Sequence, residues 1–216
     1  MDLKKRKIRN ETLSNLVLRA IIVTVSIFIM TFGFALYLKA ELGSDCMSLL
    51  VDGLARTIHI PYGTASNAVN ISLFVVMFLF NRGSIGFATV ISAFCTGTFL
   101  QLNLSLLDWI MATPPFWLRI LMPIAAAFIN AGGIGLYLAM DLGASPFEGL
   151  VLTLVSHSKL SYQNSMYLVN FVCFATGVVL GGIWGYGSVV AVVLSGVLFQ
   201  SALKTMQRLT HSLVKK

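Results

Sequence analysis

Gly33-Phe-Ala-Leu-Tyr-Leu-Lys-Ala-Glu-Leu-Gly43 and Gly133-Ile-Gly-Leu-Tyr-Leu-Ala-Met-Asp-Leu-Gly143 are two copies of one pattern, displaced by 100 residues. Gly33/Gly133, Leu36/Leu136, Tyr37/Tyr137, Leu38/Leu138, Leu42/Leu142 and Gly43/Gly143 are identical, and Glu41/Asp141 keeps an acid. The register runs on through Leu50/Leu150, Val51/Val151, Leu54/Leu154, Tyr62/Tyr162 and Asn70/Asn170. After a slip of one residue it resumes at Gly86/Gly185, Gly97/Gly196 and Gln101/Gln200. Shared apolar composition accounts for matched Leu and Val, but not for matched Gly, Tyr, Asn and Gln in one register. The pattern predicts an internal duplication.

Around these copies the chain is apolar. Its 216 residues are 57% hydrophobic and 11% charged, where a soluble domain carries about 25% charged residues. The mean hydropathy is +0.86. These values exclude an ordinary soluble enzyme and a disordered chain, and place the protein in a bilayer. A hydrocarbon core of roughly 30 Å needs about 20 apolar residues in a helix. Apolar stretches with few charges, at about 16–39, 60–80, 85–107, 116–140, 161–181 and 185–204, meet that need. Asn81-Arg82-Gly83-Ser84, the segment from Asp108 to Pro115, and Gly181-Gly182-Ile183-Trp184-Gly185 separate them with turn-forming residues. Trp109, Trp117 and Trp184 fall at the expected helix ends, where amphipathic rings favour the headgroup level.

Gly43–Ile58 and Gly143–Ser158 are too short or too polar to span. In the first, Glu41, Asp45, Ser48, Asp52 and Arg56 form one polar stripe at helical spacing. Such a helix lies in the interface or re-enters a protein-lined pocket. The second begins the same stripe with Asp141, Ser145 and Glu148, but Leu152 interrupts it, so this copy should insert more deeply. The expected fold is therefore an all-α polytopic membrane protein of six transmembrane helices plus two short broken, re-entrant helices. Its units are a basic tail at 1–15, a first copy at 16–107, a second at 116–204 and a basic tail at 205–216. Three spans per copy is an odd number, so the second copy enters from the opposite side and the two form inverted repeats, an arrangement recurrent among transporters.

The charge distribution orients the chain. Residues 1–19 and 204–216 each carry a net +4, while the 184 residues between them carry −1. Nucleic acid is thereby excluded as a partner, since its binders line one surface with basic residues. The tails mark the cytoplasmic side and a leaflet of anionic headgroups. The run from Ala20 to Leu38 exceeds a signal-peptide core and is read as a retained first span. Cys46, Cys95 and Cys173 have no metal or disulfide spacing. No phosphate-binding, hydrolase, zinc-protease or dinucleotide motif occurs, so neither an enzyme nor a cofactor is expected.

Candidate binding residues are those polar groups that a membrane interior makes costly. Asp45, Asp52 and Glu148 lie by the short helices and are candidates for a cation or a proton; the plainer reading is solvated interfacial turns, with Arg56 pairing Asp52. Asn67 and Asn70 share one face of the second span, and Asn164 and Asn170 lie in the corresponding helix. Facing amides line a polar path in one reading and act as glue between helices in the plainer one. Gly33, Gly133, Gly43 and Gly143 are candidate hinges flanking the breaks, with close helix packing the plainer reading. His59 and His157 each follow a short helix and are read as interfacial.

The run Leu42-Gly43-Ser44-Asp45, then Val51-Asp52-Gly53-Leu54 and Gly63-Thr64-Ala65-Ser66-Asn67, resembles the YczE/YyaS/YitT family of bacterial membrane proteins. Leu142-Gly143-Ala144-Ser145-Pro146-Phe147-Glu148 is similar to that family's LG-x-x-P-aromatic-acid motif. The resemblance extends from about Arg19 to Leu203 and implies a bacterial plasma-membrane protein without the soluble C-terminal domain of the YitT branch. The first copy departs from the motif with Cys46-Met47-Ser48, which leaves the family's acid at Glu148 alone.

The expected function is that of a small secondary transporter or facilitator of a small solute or ion, with both termini cytoplasmic and the site between the broken helices. The alternative is a membrane-embedded regulatory or assembly partner of another membrane protein. A homodimer is compatible with either.

Overall fold

The computed structural model describes residues 13–194 together with 198, 201, 202 and 205. The expected tails at 1–15 and 205–216 and the end of the last expected span fall largely outside the described residues. The described chain is helical: α1 (Leu13–Ala40), α2 (Cys46–Ile58), α3 (Tyr62–Phe80), a 3-10 turn at Arg82–Ser84, α4 (Phe87–Ile110), α5 (Phe116–Ala139), α6 (Pro146–His157) and α7 (Tyr162–Val179). An eighth helix, α8, is described over 186–194.

Local chemistry sets these limits. Asp45 and Ser145 cap α2 and α6 by accepting the backbone N–H three residues on, which satisfies one of the amides left open at a helix start. Pro146 occupies the first turn of α6, where its missing N–H costs nothing. Ser161 caps α7 in the same way. Pro61 and Pro115 immediately precede α3 and α5. The breaks before α2 and α6 share one conformation: Glu41 and Asp141 are left-handed (φ 53° and 52°), and Gly43 and Gly143 follow at φ 99° and 125°. Only glycine adopts the latter angles without strain.

Four helices, over Leu16–Ala40, Tyr62–Phe80, Phe87–Ile110 and Phe116–Ala139, are long and apolar enough to cross a membrane; α7 is apolar but shorter. Their outward faces carry large apolar side chains, among them Phe78, Leu79, Phe94, Phe128 and Phe171. That distribution suits a hydrocarbon surrounding, and the protein is membrane-embedded.

The centre of the fold is the pair α1 and α5, which pack along each other. They run antiparallel: Arg119, at the start of α5, meets Ala40 at the end of α1, and Arg19, early in α1, meets Met140 at the end of α5. A Cβ on Gly33 would stand 2.9 Å from the backbone nitrogen of Asn130, and one on Gly133 would stand 2.6 Å from that of Met30. Such close backbone approach is how helices associate where lipid supplies no hydrophobic drive. Gly33 and Gly133 thus serve this crossing, and the bends lie instead at Gly43 and Gly143. α2 packs along α7 and α6 along α3, so each short helix lies against a long helix from the other part of the chain. Gly53 and Gly177 permit the first contact: a Cβ on Gly53 would come within 2.7 Å of the Gly177 carbonyl oxygen.

Candidate functional site

The site is built from the first turns of α2 and α6. A helix start carries open N–H groups and partial positive charge, and each of these two has one acid and one serine to meet it, in exchanged positions. In α2 the acid is the cap: Asp45 Oδ2 accepts from Ser48 N at 3.3 Å. In α6 the serine is the cap: Ser145 Oγ accepts from Glu148 N, and Glu148 Oε2 accepts in return from Ser145 N, both at 3.3 Å. The substitution of Ser48 for the motif's acid therefore does not leave the first short helix without a carboxylate. Asp45, three residues earlier, supplies it.

Burial pushes both carboxyls above the ordinary range, against the hydrogen bonds from the Ser48 and Ser145 regions that favour ionisation. Neither Asp45 nor Glu148 has a cationic partner among the described residues. The cations lie elsewhere: Lys39 pairs with Asp108, Arg56 with Asp52 at 3.0 Å, and Arg119 with Glu41 at 3.0 Å. Two tyrosines lie in the neighbourhood of each acid. Asp45 is close enough to interact electrostatically with Tyr37 and Tyr62, and Glu148 with Tyr137 and Tyr162. The Tyr62 hydroxyl donates to the Ser48 carbonyl at 3.0 Å, which fixes it against the first turn of α2. The two short helices also share an apolar cluster, where Cys46 and Leu50 of α2 and Phe147, Leu150 and Leu154 of α6 pack around Val151 of α6 and Val169 and Cys173 of α7.

The other candidates separate by partner. Asp52 is buried and fully engaged: both carboxylate oxygens accept from Arg56 Nε at 3.0 Å, and Oδ2 accepts from Ile183 N at 2.9 Å. With Thr57 Oγ1 donating to the Leu180 carbonyl at 2.9 Å, it fastens α2 to the turn after α7. Asn67 joins α3 to α4, accepting from Gly97 N at 2.9 Å and donating to Thr98 Oγ1 at 3.2 Å. Asn70 is buried and donates to the Ser66 carbonyl of its own helix at 2.9 Å. Asn164 is exposed in the first turn of α7, and Asn170 is half-buried further along it. Asp45 and Glu148 each stand at the start of a short helix, with a hinge glycine two and five residues before them, respectively; Asp52 and Asn67 hold helices to one another.

Sequence reading missed the tyrosines, although the Tyr37/Tyr137 and Tyr62/Tyr162 matches carried the signal. It also missed Asn103, which is fully buried in α4 and donates to Phe28 O at 3.2 Å and Thr31 Oγ1 at 3.0 Å of α1. An amide inside the run Phe99–Leu107 was its mark. Among the described residues no group of three or more His, Cys, Asp or Glu gathers to hold a metal ion.

A family model covers residues 17–204, spanning both short helices and all four long ones. The chain belongs to DUF6198, a family of unknown function. Within this DUF6198 protein, the matched region contains every candidate residue named above. An uncharacterised protein of Haemophilus influenzae is 24% identical over 192 residues, covering 88% of this chain and 85% of its own. No solved structure matches.

Proposed function

We propose that this DUF6198 protein is a small, non-enzymatic secondary carrier of the bacterial plasma membrane, with six spans arranged as two inverted repeats and both termini in the cytoplasm. The observation that carries the reading is the pair of interrupted helices α2 and α6. Each starts with an unneutralised carboxylate, and each packs on a long helix from the other part of the chain. Carriers built from inverted repeats place their sites at such interruptions, and an intramembrane acid without a partner is retained at a cost that function explains. The antiparallel α1–α5 pair supports the inverted arrangement. The LG motifs support kinship with the YczE/YyaS/YitT proteins. Asp45 and Glu148 are the proposed solute- or ion-binding groups, with Asn70 and Asn170 along the path between them, and a homodimer is compatible with this arrangement.

The test is uptake into proteoliposomes across a panel of amino acids, organic cations and alkali ions. Transport of one class is expected, and it should fall at least tenfold in Glu148→Gln, which keeps the capping geometry while removing the charge. Absence of flux across the panel, or full flux in both Glu148→Gln and Asp45→Asn, contradicts the reading.

A further inference from the structure

The two turns that lead into α2 and α6 are alike in backbone and unlike in how their polar atoms are satisfied. Before α6 the chain is closed. Thr89 Oγ1 donates to the Ala144 carbonyl at 2.7 Å and accepts from Gly86 N at 3.0 Å, while Ala88 N donates to Leu142 O at 3.1 Å. Ser145 and Glu148 satisfy each other there.

Before α2 the corresponding backbone bond is present, Gly187 N to Leu42 O at 2.7 Å, but the side-chain closure is missing. Ser188 stands where Thr89 stands in the other turn, and a Cβ on Gly43 would lie 2.6 Å from its Oγ. Ser188 is 6% exposed. Among the described residues its Oγ has no hydrogen-bond partner, and neither has the buried Oδ1 of Asp45, two residues after Gly43. A buried polar atom left without a partner costs roughly 1–3 kcal/mol, and here there are two, one on the turn and one on the α8 residue packed against it, where the corresponding turn leaves none among the described residues.

We propose that the Gly43–Asp45 turn holds one monovalent metal cation, with Asp45 Oδ1 and the Ser188 hydroxyl as two of its oxygen ligands. Carboxylate, hydroxyl and the carbonyls of an unwound turn are hard oxygen donors, the kind that hold hard cations. One unpaired carboxylate balances a single positive charge, which selects an alkali ion over a divalent one. The Asp45 Oδ2 stays on the helix amide, so α2 remains capped while Oδ1 binds. This deepens the carrier reading, in which the cation is the coupling ion and α6 marks the cation-free half. Binding is measurable without transport.

The experiment is thermal unfolding of the full chain in detergent, titrated with NaCl and with KCl against choline chloride at constant ionic strength. A saturable rise of the midpoint by a few degrees is expected for at least one alkali chloride, as linkage to the folded state requires. Asn caps as well as Asp, so Asp45→Asn should fold and lose the response. Ser188→Ala removes a hydroxyl with no protein partner, so it should fold and raise the half-saturating concentration about tenfold or more. Thr89→Ala should lower the basal midpoint and keep the cation response. Equal midpoints in all three chlorides, or an undiminished response in Asp45→Asn or Ser188→Ala, overturns the proposal. An intact cation response with no flux of any solute overturns the carrier reading and leaves the cation site standing.

Discussion

Arg119 Nε donates to the carbonyl of Ala40 at 2.8 Å, and Arg19, 100 positions earlier, donates from Nη2 to the carbonyl of Met140. Each arginine stands near the start of one central helix and closes the end of the other. The last carbonyls of a helix have no partner of their own. A guanidinium from the antiparallel neighbour fills the gap and favours the negative end of the helix dipole. Removing the donor in Arg119→Met should cost about 1–3 kcal/mol, and Arg119→Lys should recover part of it. Thermal midpoints in detergent measure both.

This pairing shows how far the sequence could be read. Arg19 and Arg119 share the register of the matched copies, so their equivalence was visible, but their target was not. That a side chain 79 residues away meets the Ala40 carbonyl depends on the antiparallel crossing of α1 and α5. The helices themselves were legible, because runs of apolar residues broken by Pro, Gly and Asn leave few alternatives in a bilayer. The short helices were legible as interruptions. What escaped was the exchange of acid and serine at their starts: Asp45 aligns with Ser145 and Ser48 with Glu148, and only capping geometry shows that both acids reach the same kind of helix end. Asp52 stands out in the sequence as a carboxylate on the polar stripe of α2, and its pairing with Arg56 is legible there too, whereas its bond to Ile183 N spans 131 positions and leaves no local pattern.

Asp52 should therefore behave as a fastening. Asp52→Ala leaves the Ile183 N–H without its acceptor and releases the half-exposed Arg56 guanidinium, and is expected to destabilise by about 1–3 kcal/mol. Asp52→Asn retains an acceptor for Ile183 and should cost less. Guanidinium-free thermal melts of the two variants, compared with wild type, give the order directly.

His59 ends α2 in the left-handed region at φ 57° and is exposed. A left-handed non-glycine residue costs about 1–2 kcal/mol, and glycine is the usual occupant of that position. His59→Gly should raise the unfolding midpoint, by about 1 kcal/mol in free energy. A fall in the midpoint would mean the imidazole makes a contribution of its own.

Gly132 and Gly133 are adjacent and should respond in opposite directions. A Cβ at Gly132 meets nothing within 4 Å, whereas one at Gly133 meets the backbone of Met30 at 2.6 Å. Gly132→Ala is expected to be neutral or stabilising by about 0.5–1 kcal/mol. Gly133→Ala forces α1 and α5 apart and should cost about 1–3 kcal/mol. Unfolding of the purified variants in the same detergent compares them.

The inverted arrangement of the two halves is the claim on which the carrier reading rests, and sidedness tests it most directly. Single cysteines placed at Ile60 and at Lys159, in a chain with Cys46, Cys95 and Cys173 replaced, are to be labelled in intact cells with a membrane-impermeant thiol reagent. Labelling at Ile60 and protection at Lys159 until the cells are opened is the predicted result. Labelling of both positions from the same side would mean parallel halves with α2 and α6 crossing the bilayer, and would contradict the account.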